Sequence, residues 1–468
     1  MASSLGPIYE LDLSSEDDSD REDDFHDSLE EQPPPPKPVC LPTEVIEHIL
    51  GWTQANAEDQ TTLKACSLVS KAWEDPARRI LFGQCLAITS HDSLQRLRSV
   101  VDGTPSLARA VRKLDLSNPS SGWCPARISE MYRRSAGLLR QTPNVNDIQL
   151  LHVALTDKVR HRLFGALRTL KIEVASLYSS SWTRHGRHSL TATGGTEEAP
   201  DMEALAHLLC TWRCLKHLTL SGYSSYPRLL HPTTAPRHTL PTYQLTDLAI
   251  VSVALPDSTL LWLLGNSAYS LRSLNLAATT GLSAEILSDL FELVGPTLEN
   301  LFLSVDLDDL APASSSAPLN SSILAPLVNL TSFNLSTDSA FPEEVLETLA
   351  TLPRIRSIVL CFPSFSYGVA KTATEHASAS LRHLTLDSWD AADIWTDHQR
   401  WLVLQECEKR DITFALNGLM KEDIEEDWYG EDVSGDWAVL ERGAVNERRR
   451  IPSRCDALPF AVYLGDSC

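Results

Sequence analysis

The sequence predicts an α/β fold in which a small unit of three helices precedes a long solenoid of parallel strands and returning helices. Three short apolar helical segments lie between residues 40 and 82. Beyond them, a pattern with apolar residues at i, i+3 and i+5 recurs ten times between residues 111 and 386. With 468 residues and 43% hydrophobic content, the chain is long enough to bury both cores.

The first 39 residues are predicted to be a disordered acidic and Pro-rich arm. Residues 1–31 hold twelve acidic side chains against one Arg, a net charge of −11, and "QPPPPKP" follows them. Such a segment has too little apolar surface to fold alone, and the prolines favour an extended spacer. Its simplest role is to keep the chain soluble, but Ser14, Ser15 and Ser19 precede acidic residues and are candidate phosphorylation sites.

Residues 40–82 are predicted to form the three-helix unit. "LPTEVIEHILGW" places Val45, Ile46, Ile49 and Leu50 on one face of a short helix. "AEDQTTLKACSLVSKAW" is predicted as the second helix, and "EDPARRILF" as the third, with Pro76 in its first turn. The second helix carries apolar residues around most of its perimeter, which is more than one small core requires, so we expect part of the unit to contact another protein.

The blocks "LPTEVIEHIL", "LKACSLVSKAW" and "PARRILF", in this order and spacing, resemble an F-box. This resemblance covers residues 41 to about 82 and implies docking onto the Skp adaptor, and through it the cullin, of Skp, cullin and F-box ubiquitin ligases. It assigns nine residues to adaptor contact or to the helical core beneath it: Leu41, Pro42, Val45, Ile46, Ile49, Leu50, Leu68, Val69 and Trp73. The alternative is that these residues only fill an internal core.

The ten repeats span a predicted solenoid over residues 83–417. Their central residues are Leu114, Ile148, Leu170, Leu218, Leu248, Leu274, Leu301, Phe333, Ile358 and Leu384. Most intervals resemble the period of a leucine-rich repeat, which implies an irregular horseshoe with a parallel sheet and a helical convex side. The Asn or Cys of that family, three residues beyond the last apolar position, is missing in all ten copies. "QCLAIT" at 84–89 and "RDITFAL" at 410–416 are the candidate entry and closing strands.

Two stretched intervals contain long predicted loops. The first, "YSSSWTRHGRHSLTATGGTEEAP", has neither helical nor strand periodicity. The second, "GYSSYPRLLHPTTAPRHTLPTYQ", carries the candidate substrate-binding residues Tyr223, Tyr226 and Tyr243. Each loop could instead be a tolerated insertion. Residues 418–468 are predicted to be an acidic, partly disordered tail.

No pattern of catalytic or cofactor-binding residues was found. The P-loop, GxGxxG, HExxH and GxSxG motifs do not occur, so we expect neither an enzyme nor a cofactor. His185 and His188 are expected in a solvated loop, and Cys210 and Cys214 on one helix in core packing, with no metal bound. The net charge of −22 disfavours nucleic acid. No apolar run is long enough to span a bilayer and no secretory leader pattern is present, so we expect a cytoplasmic or nuclear protein.

The resemblance thus implies a substrate-recognition adaptor of a ubiquitin ligase, in which the F-box-like unit binds the Skp adaptor and the repeats bind a protein target. The alternative is a leucine-rich-repeat scaffold that assembles partners without a role in ubiquitin transfer. A hydrolase whose site lies in the long loops is the third and weakest interpretation.

Overall fold

The computed structural model describes residues 41–54, 60–117, 125–152, 157–179, 202–221, 240–252, 257–277, 279, 284–304, 321–337, 343–362, 366–388 and 395–416. The predicted arm (1–39) and tail (418–468) lie outside these residues. So do His185 and His188, and most of both long loops.

The first three helices are α1 (Thr43–Gln54), α2 (Gln60–Val69) and α3 (Lys71–Gly83). The prediction that the second helix runs on to Trp73 is wrong. Ser70 has extended backbone angles, φ −162° and ψ 163°, and is the N-cap of α3, so Trp73 lies in the first turn of that helix. Pro76 is therefore inside α3 and not in its first turn.

The core of the three-helix unit is small. Ile46, Leu50, Leu63 and Ala77 are fully buried in it, and four partly buried side chains pack around them: Cys66, Trp73, Ile80 and Leu81. Phe82, at the end of α3, packs instead against the core of the following repeats. The unit is thus joined to the rest of the chain by packing as well as by sequence.

The strands form a single parallel sheet whose order follows the sequence from first to last. They are β1 (Cys85–Ala87), β2 (Lys113–Leu116), β3 (Asp147–His152), β4 (Val174–Ser179), β5 (His217–Ser221), β6 (Asp247–Val251), β7 (Ser273–Ala277), β8 (Asn300–Ser304), β9 (Ser332–Ser336), β10 (Ser357–Phe362), β11 (His383–Ser388) and β12 (Thr413–Leu416). Parallel neighbours need a crossover connection, and each new strand adds to the same edge of the sheet. This is a solenoid, as the sequence predicts.

The crossovers contain the remaining helices. These are α4 (His91–Gly103), α5 (Pro105–Ala110), α6 (Pro125–Gln141), α7 (Asp157–Leu167), α8 (Met202–Thr211), α9 (Asp257–Leu264), α10 (Ala284–Val294), α11 (Ser321–Leu324), α12 (Glu343–Thr351), α13 (Tyr367–Glu375) and α14 (Asp397–Lys409). Alternate strand residues are buried with the apolar sides of these helices in one continuous core. The helices therefore cover one face of the sheet, and the other, which we call the open face, is half exposed. The predicted α/β leucine-rich-repeat fold is confirmed.

The central apolar residues of the repeats lie side by side in the sheet. Leu114 pairs with Ile148, and the same row continues through Leu218 and on to Leu384. The repeat predicted around Leu170 is the exception. Leu170 and Ile172 are buried in the turn after α7, and the strand begins only at Val174, so Ala175 occupies the central position. The true copy is "IEVASL".

Adjacent repeats are tied together where each strand begins. The carbonyl of Arg112 accepts hydrogen bonds from the backbone N–H groups of Asn146 and Asp147, at 3.0 and 3.1 Å, and this forked bond recurs at the start of most later strands. Side-chain amides add to it on the helix side, where Asn144 Nδ2 donates to the Arg109 carbonyl and Asn329 Nδ2 to the Pro296 carbonyl. These bonds satisfy turn carbonyls without the Asn or Cys that is missing from the repeats.

Both predicted end strands are confirmed. β1 lies at one edge of the sheet and β12 at the other. The C-terminal end of the core is closed by α14, which buries Val403, Leu404 and Cys407 and begins at a capping box formed by Thr396 and Gln399. Such a cap covers the core at the last repeat among the described residues.

Candidate docking surfaces

An apolar stripe lies on the solvent side of α1. Val45, Ile49 and Trp52 are 42%, 36% and 70% exposed, and Leu41, just before the helix, is 41% exposed. At about 100° per residue, the three helical positions fall within a sector of about 60°. Ile46 and Leu50 occupy the neighbouring sector and are buried. We call Leu41, Val45, Ile49 and Trp52 the α1 stripe.

The core of the unit is too small to cover the α1 stripe. Its four fully buried side chains engage one side of α1 only. Glu47, on the far side of the buried sector from the stripe, forms an ion pair with Arg79 of α3 at 3.2 Å, which holds this helix against its neighbour. The ring of His48 lies 5.1 Å from that of Trp52 on the exposed side. The stripe is thus presented by a helix that is fixed from behind.

A second exposed apolar group lies at the end of α2. Leu68 is 85% exposed and Val69 is 70% exposed, immediately before the break at Ser70. Burying such a side chain fully is worth about 1.5–3 kcal/mol. Neither Leu68 nor Val69 is buried by any other part of the described structure, so this free energy is available for binding a partner.

Exposed large apolar side chains are concentrated in this part of the chain. Of the thirteen found among all described residues, six lie in residues 41–69. The other seven are spread over residues 100–401, mostly one to a helix or loop. Single exposed apolar residues are normal on a soluble protein, but a local concentration marks an interaction site.

The nine residues assigned by resemblance divide into two groups. Leu41, Pro42, Val45, Ile49, Leu68 and Val69 are exposed, whereas Ile46 and Leu50 are buried and Trp73 is partly buried against them. The exposed six are accessible to a partner, and the other three lie in or against the core beneath them. Sequence reasoning missed Trp52, although it continues the i, i+4, i+7 spacing from Val45 and Ile49.

The predicted substrate contact of Tyr243 must be corrected. Its side chain is fully buried, and its hydroxyl donates to the carbonyl of Leu263 in the last turn of α9 at 3.0 Å. Burial also raises the pKa of Tyr243 above its ordinary range. The segment around it closes the end of α9, since Asn266 Nδ2 donates to the Pro241 carbonyl and the Leu245 N–H donates to Ser267 Oγ. Tyr223 and Tyr226 lie outside the described residues.

The open face of the sheet is the second candidate surface. Between β2 and β6 it carries an ion pair, Lys113 with Asp147 at 3.4 Å, and a hydrogen-bonded pair, His217 with Asp247 at 2.6 Å. Burial raises the pKa of Asp147, although Lys113 opposes the shift. Burial also acts to raise the pKa of Asp247, but hydrogen bonds from His217 and Thr246 outweigh it and lower that pKa.

Further along the sheet, the same face carries mainly uncharged polar side chains. On β7, β8 and β9 these are Ser273, Asn275, Asn300, Ser304, Ser332, Asn334 and Ser336, with Phe302 among them. The Asn275 Oδ1 atom is buried and has no hydrogen-bond partner among the described residues. This face thus offers hydrogen-bonding groups and a few charges over many strands, which suits the recognition of an extended protein surface.

The described residues contain no cluster of three or more His, Cys, Asp or Glu side chains that could hold a metal ion. Cys210 and Cys214 do not share a helix as predicted, because α8 ends at Thr211. Within the same residues, no helix has the length and apolar character needed to cross a bilayer.

Comparison with known proteins reveals similarity at the level of fold. No protein-family model matches the sequence, and no curated protein matches it. A chain in the crystal structure of the yeast Rad7 and Elc1 complex is similar, with 14% identity, a TM-score of 0.41, and coverage of 80% of this chain and 84% of that one. The leucine-rich repeat-containing protein LegL7 from Legionella pneumophila is also similar, with 14% identity, a TM-score of 0.35, and coverage of 70% and 97%.

Proposed function

We propose that this protein is the substrate-recognition subunit of a Skp, cullin and F-box ubiquitin ligase. In this proposal residues 41–82 bind the Skp adaptor and the solenoid binds a protein target. The observation that carries it is the concentration of exposed apolar side chains on the α1 stripe and at the end of α2, within the segment that resembles an F-box.

The chemistry of these surfaces favours a protein partner over a small ligand. The α1 stripe is a row of side chains on a helix, and it presents a Trp at one end. Trp is the residue type most enriched among the anchors that dominate binding energy in protein interfaces. Leu68 and Val69 add two further side chains that gain free energy when water is removed from them.

The packing of the three-helix unit against the solenoid supports separate roles for the two, adaptor binding by the unit and target binding by the solenoid. Phe82 packs into the core of the solenoid, so a target on the open face of the sheet is held at a limited range of distances from an adaptor bound to α1. The ligase reaction would then gain from proximity and effective concentration. No residue of this chain enters the chemistry in this proposal.

Co-purification tests the proposal directly. The intact chain is co-expressed with a Skp adaptor and passed through size-exclusion chromatography, and the complex is then mixed with the cullin. A stable 1:1 complex that recruits the cullin supports the proposal. Separate elution of the two proteins at micromolar concentration contradicts it.

A scaffold without a role in ubiquitin transfer is the second candidate function. The polar open face, which extends over many strands, favours it independently of the three-helix unit. If the chain fails to bind the adaptor but binds proteins through this face, so that substitutions such as Phe302→Ala and Asn334→Ala abolish capture, the scaffold is the better account.

A further inference from the structure

Over residues 60–420 the basic and acidic side chains nearly balance in number, but they are unevenly distributed along the chain. Residues 60–180 contain eighteen Lys and Arg against nine Asp and Glu, a net charge of +9. Residues 181–420 contain fourteen Lys and Arg against twenty-five Asp and Glu, a net charge of −11. The segment from α2 to β4 is therefore strongly basic within a protein whose total charge is −22.

Half of these eighteen cationic side chains are exposed on three helices near the start of the solenoid and on the turn that follows them. The exposed cationic side chains of α4, α6, α7 and the turn after α7 are Arg96, Arg98, Arg127, Arg133, Arg140, Lys158, Arg162, Arg168 and Lys171, which we call the basic face. In this layer α4 packs against α6 and α6 against α7. Gln141 of α6 also donates to Asp102 of α4 at 2.6 Å, which joins their outer sides.

Four acidic residues, Asp92, Asp102, Glu130 and Asp157, lie on α4, α6 and α7, against the nine cations of the basic face. Glu130 accepts hydrogen bonds from both Arg133 and Arg134 at 2.6 Å, and Asp102 lies 3.7 Å from Arg98. For the other members of the basic face, no ion pair with an acidic residue is found among the described residues. The surface thus carries a large net positive charge that an anionic partner would neutralise.

We infer that the acidic arm of the same chain, residues 1–31, docks on the basic face. The charges are complementary, because the arm has a net charge of −11 and the basic face carries nine cationic side chains. The arm is also attached near the basic face. It leads into α1, and α1 packs on α3. In turn, α3 packs on α5, which contacts α4 of the basic face.

The length of chain between the arm and α1 allows this contact. Positions 31 and 41 are ten residue steps apart, and this stretch reaches about 33 Å when extended. Neighbouring packed helices are about 8–10 Å apart, so the basic face is about 20 Å wide from α4 to α7. A short tether of this kind gives an effective concentration in the range of about a millimolar. The tether therefore favours this contact within one chain over the same contact between separate molecules.

The acidic tail, residues 418–468, and the acidic outer side of a second copy are competing occupants; the tail is less charged than the arm, with a net charge of −7 over residues 421–436. Glu285, Asp289 and Glu292 lie on α10, with no Lys or Arg in that helix. This face is less charged than the arm and has no tether, so its effective concentration is only that of the free protein. We therefore assign the basic face to the arm.

Carbodiimide cross-linking of the intact chain tests this inference, because the reagent joins a carboxylate directly to a lysine amine. Lys158 and Lys171 report on the basic face, and Lys371, which is exposed on α13, is the distant reference. Cross-links are mapped by mass spectrometry on an equal mixture of isotope-labelled and unlabelled protein. We expect arm carboxylates to join Lys158 and Lys171 at least about fivefold more often than Lys371, within one chain, with loss of the excess in 0.5 M salt.

Two matched variants separate the basic face from general charge effects. Arg127→Glu, Arg140→Glu and Arg162→Glu together should abolish the excess, whereas Arg213→Glu, Arg354→Glu and Arg356→Glu, which change the net charge equally, should preserve it. Equal effects of both variants, equal linking to all three lysines, or links that form only between chains would overturn the inference. None of these outcomes depends on the adaptor.

Discussion

Val45 and Ile46 are adjacent residues of α1, but Val45 is 42% exposed and Ile46 is 1% exposed. The boundary between the core of the three-helix unit and its candidate docking surface therefore runs between two neighbouring positions. A substitution at Ile46 damages the support of the surface, and one at Val45 alters the surface itself. Experiments on this unit must keep the two apart.

Truncation of each side chain should separate these roles in stability. Ile46→Ala leaves a cavity in a small core and should cost about 2–5 kcal/mol, whereas Val45→Ala should change stability by less than about 0.5 kcal/mol. Hydrogen exchange of the amides in α1, α2 and α3 measures this local stability. If both variants keep wild-type protection, the burial of Ile46 does not stabilise the unit.

Trp52 is predicted to be an anchor for the adaptor. Removing an exposed aromatic side chain that becomes buried in an interface costs about 2 kcal/mol or more, so Trp52→Ala should weaken adaptor binding by at least about 30-fold. Isothermal titration calorimetry of the purified proteins measures the affinity. Trp401→Ala, which truncates an exposed Trp of α14, is the matched control and should have no effect.

The hydroxyl of Tyr243 is predicted to stabilise the folded chain. Tyr243→Phe removes the donor to the Leu263 carbonyl, which lies at a helix end with no further turn to satisfy it. The loss should cost about 1–3 kcal/mol, and urea unfolding followed by circular dichroism measures it. Tyr269→Phe, at a position 89% exposed, should leave the unfolding midpoint unchanged.

The thiol of Cys407 is predicted to react slowly with alkylating reagents in the folded protein. Burial is the main cause that raises the pKa of this thiol to about 12, so at pH 8 iodoacetamide should alkylate the exposed Cys214 well before Cys407. Mass spectrometry of the native protein gives the order. Faster alkylation of Cys407 would mean that α14 does not seal the end of the core.

Because the pKa of Cys407 is raised in the folded chain, the free energy of unfolding should fall as the pH rises. Below about pH 9 both the folded and unfolded chains keep the proton, and its contribution is fully present. Between about pH 9 and pH 12 only the folded chain keeps it, so stability from this group falls by about 1.4 kcal/mol per pH unit. Cys407→Ala should show a correspondingly smaller decline in urea unfolding between pH 8.5 and pH 10.

The fold could be predicted from the sequence because its repeats have a period and a strong apolar signal. Nine of the ten predicted central residues lie in strands, and the exception has a local reason. The central residue of that repeat is Ala175, which is small enough that "IEVASL" is a weaker match than "LRTLKI" a few residues earlier. Pairing with β3 and β5 fixes the strand where the apolar pattern alone does not.

The candidate site was less predictable, because the sequence of a small helical unit does not show which of its apolar residues are buried and which are exposed. Ile46 and Ile49 both fit the helical face, and only packing against Leu63 and Ala77 distinguishes the buried one. The break between α2 and α3 was missed because Ser70 is a single polar residue in a helical pattern. Tyr243 was assigned to a loop surface because its hydroxyl partner, Leu263, is twenty residues away.

The most direct test of the proposed function is the affinity of the purified chain for a Skp adaptor, measured with two double variants. Val45→Glu with Ile49→Glu places charge on the α1 stripe, and Leu261→Glu with Leu293→Glu does the same at exposed positions of α9 and α10. The account predicts 1:1 binding by the intact chain, at least about a 100-fold loss in the first variant and no change in the second. An intact chain that does not bind, or a first variant that binds as tightly as the intact chain, would contradict it.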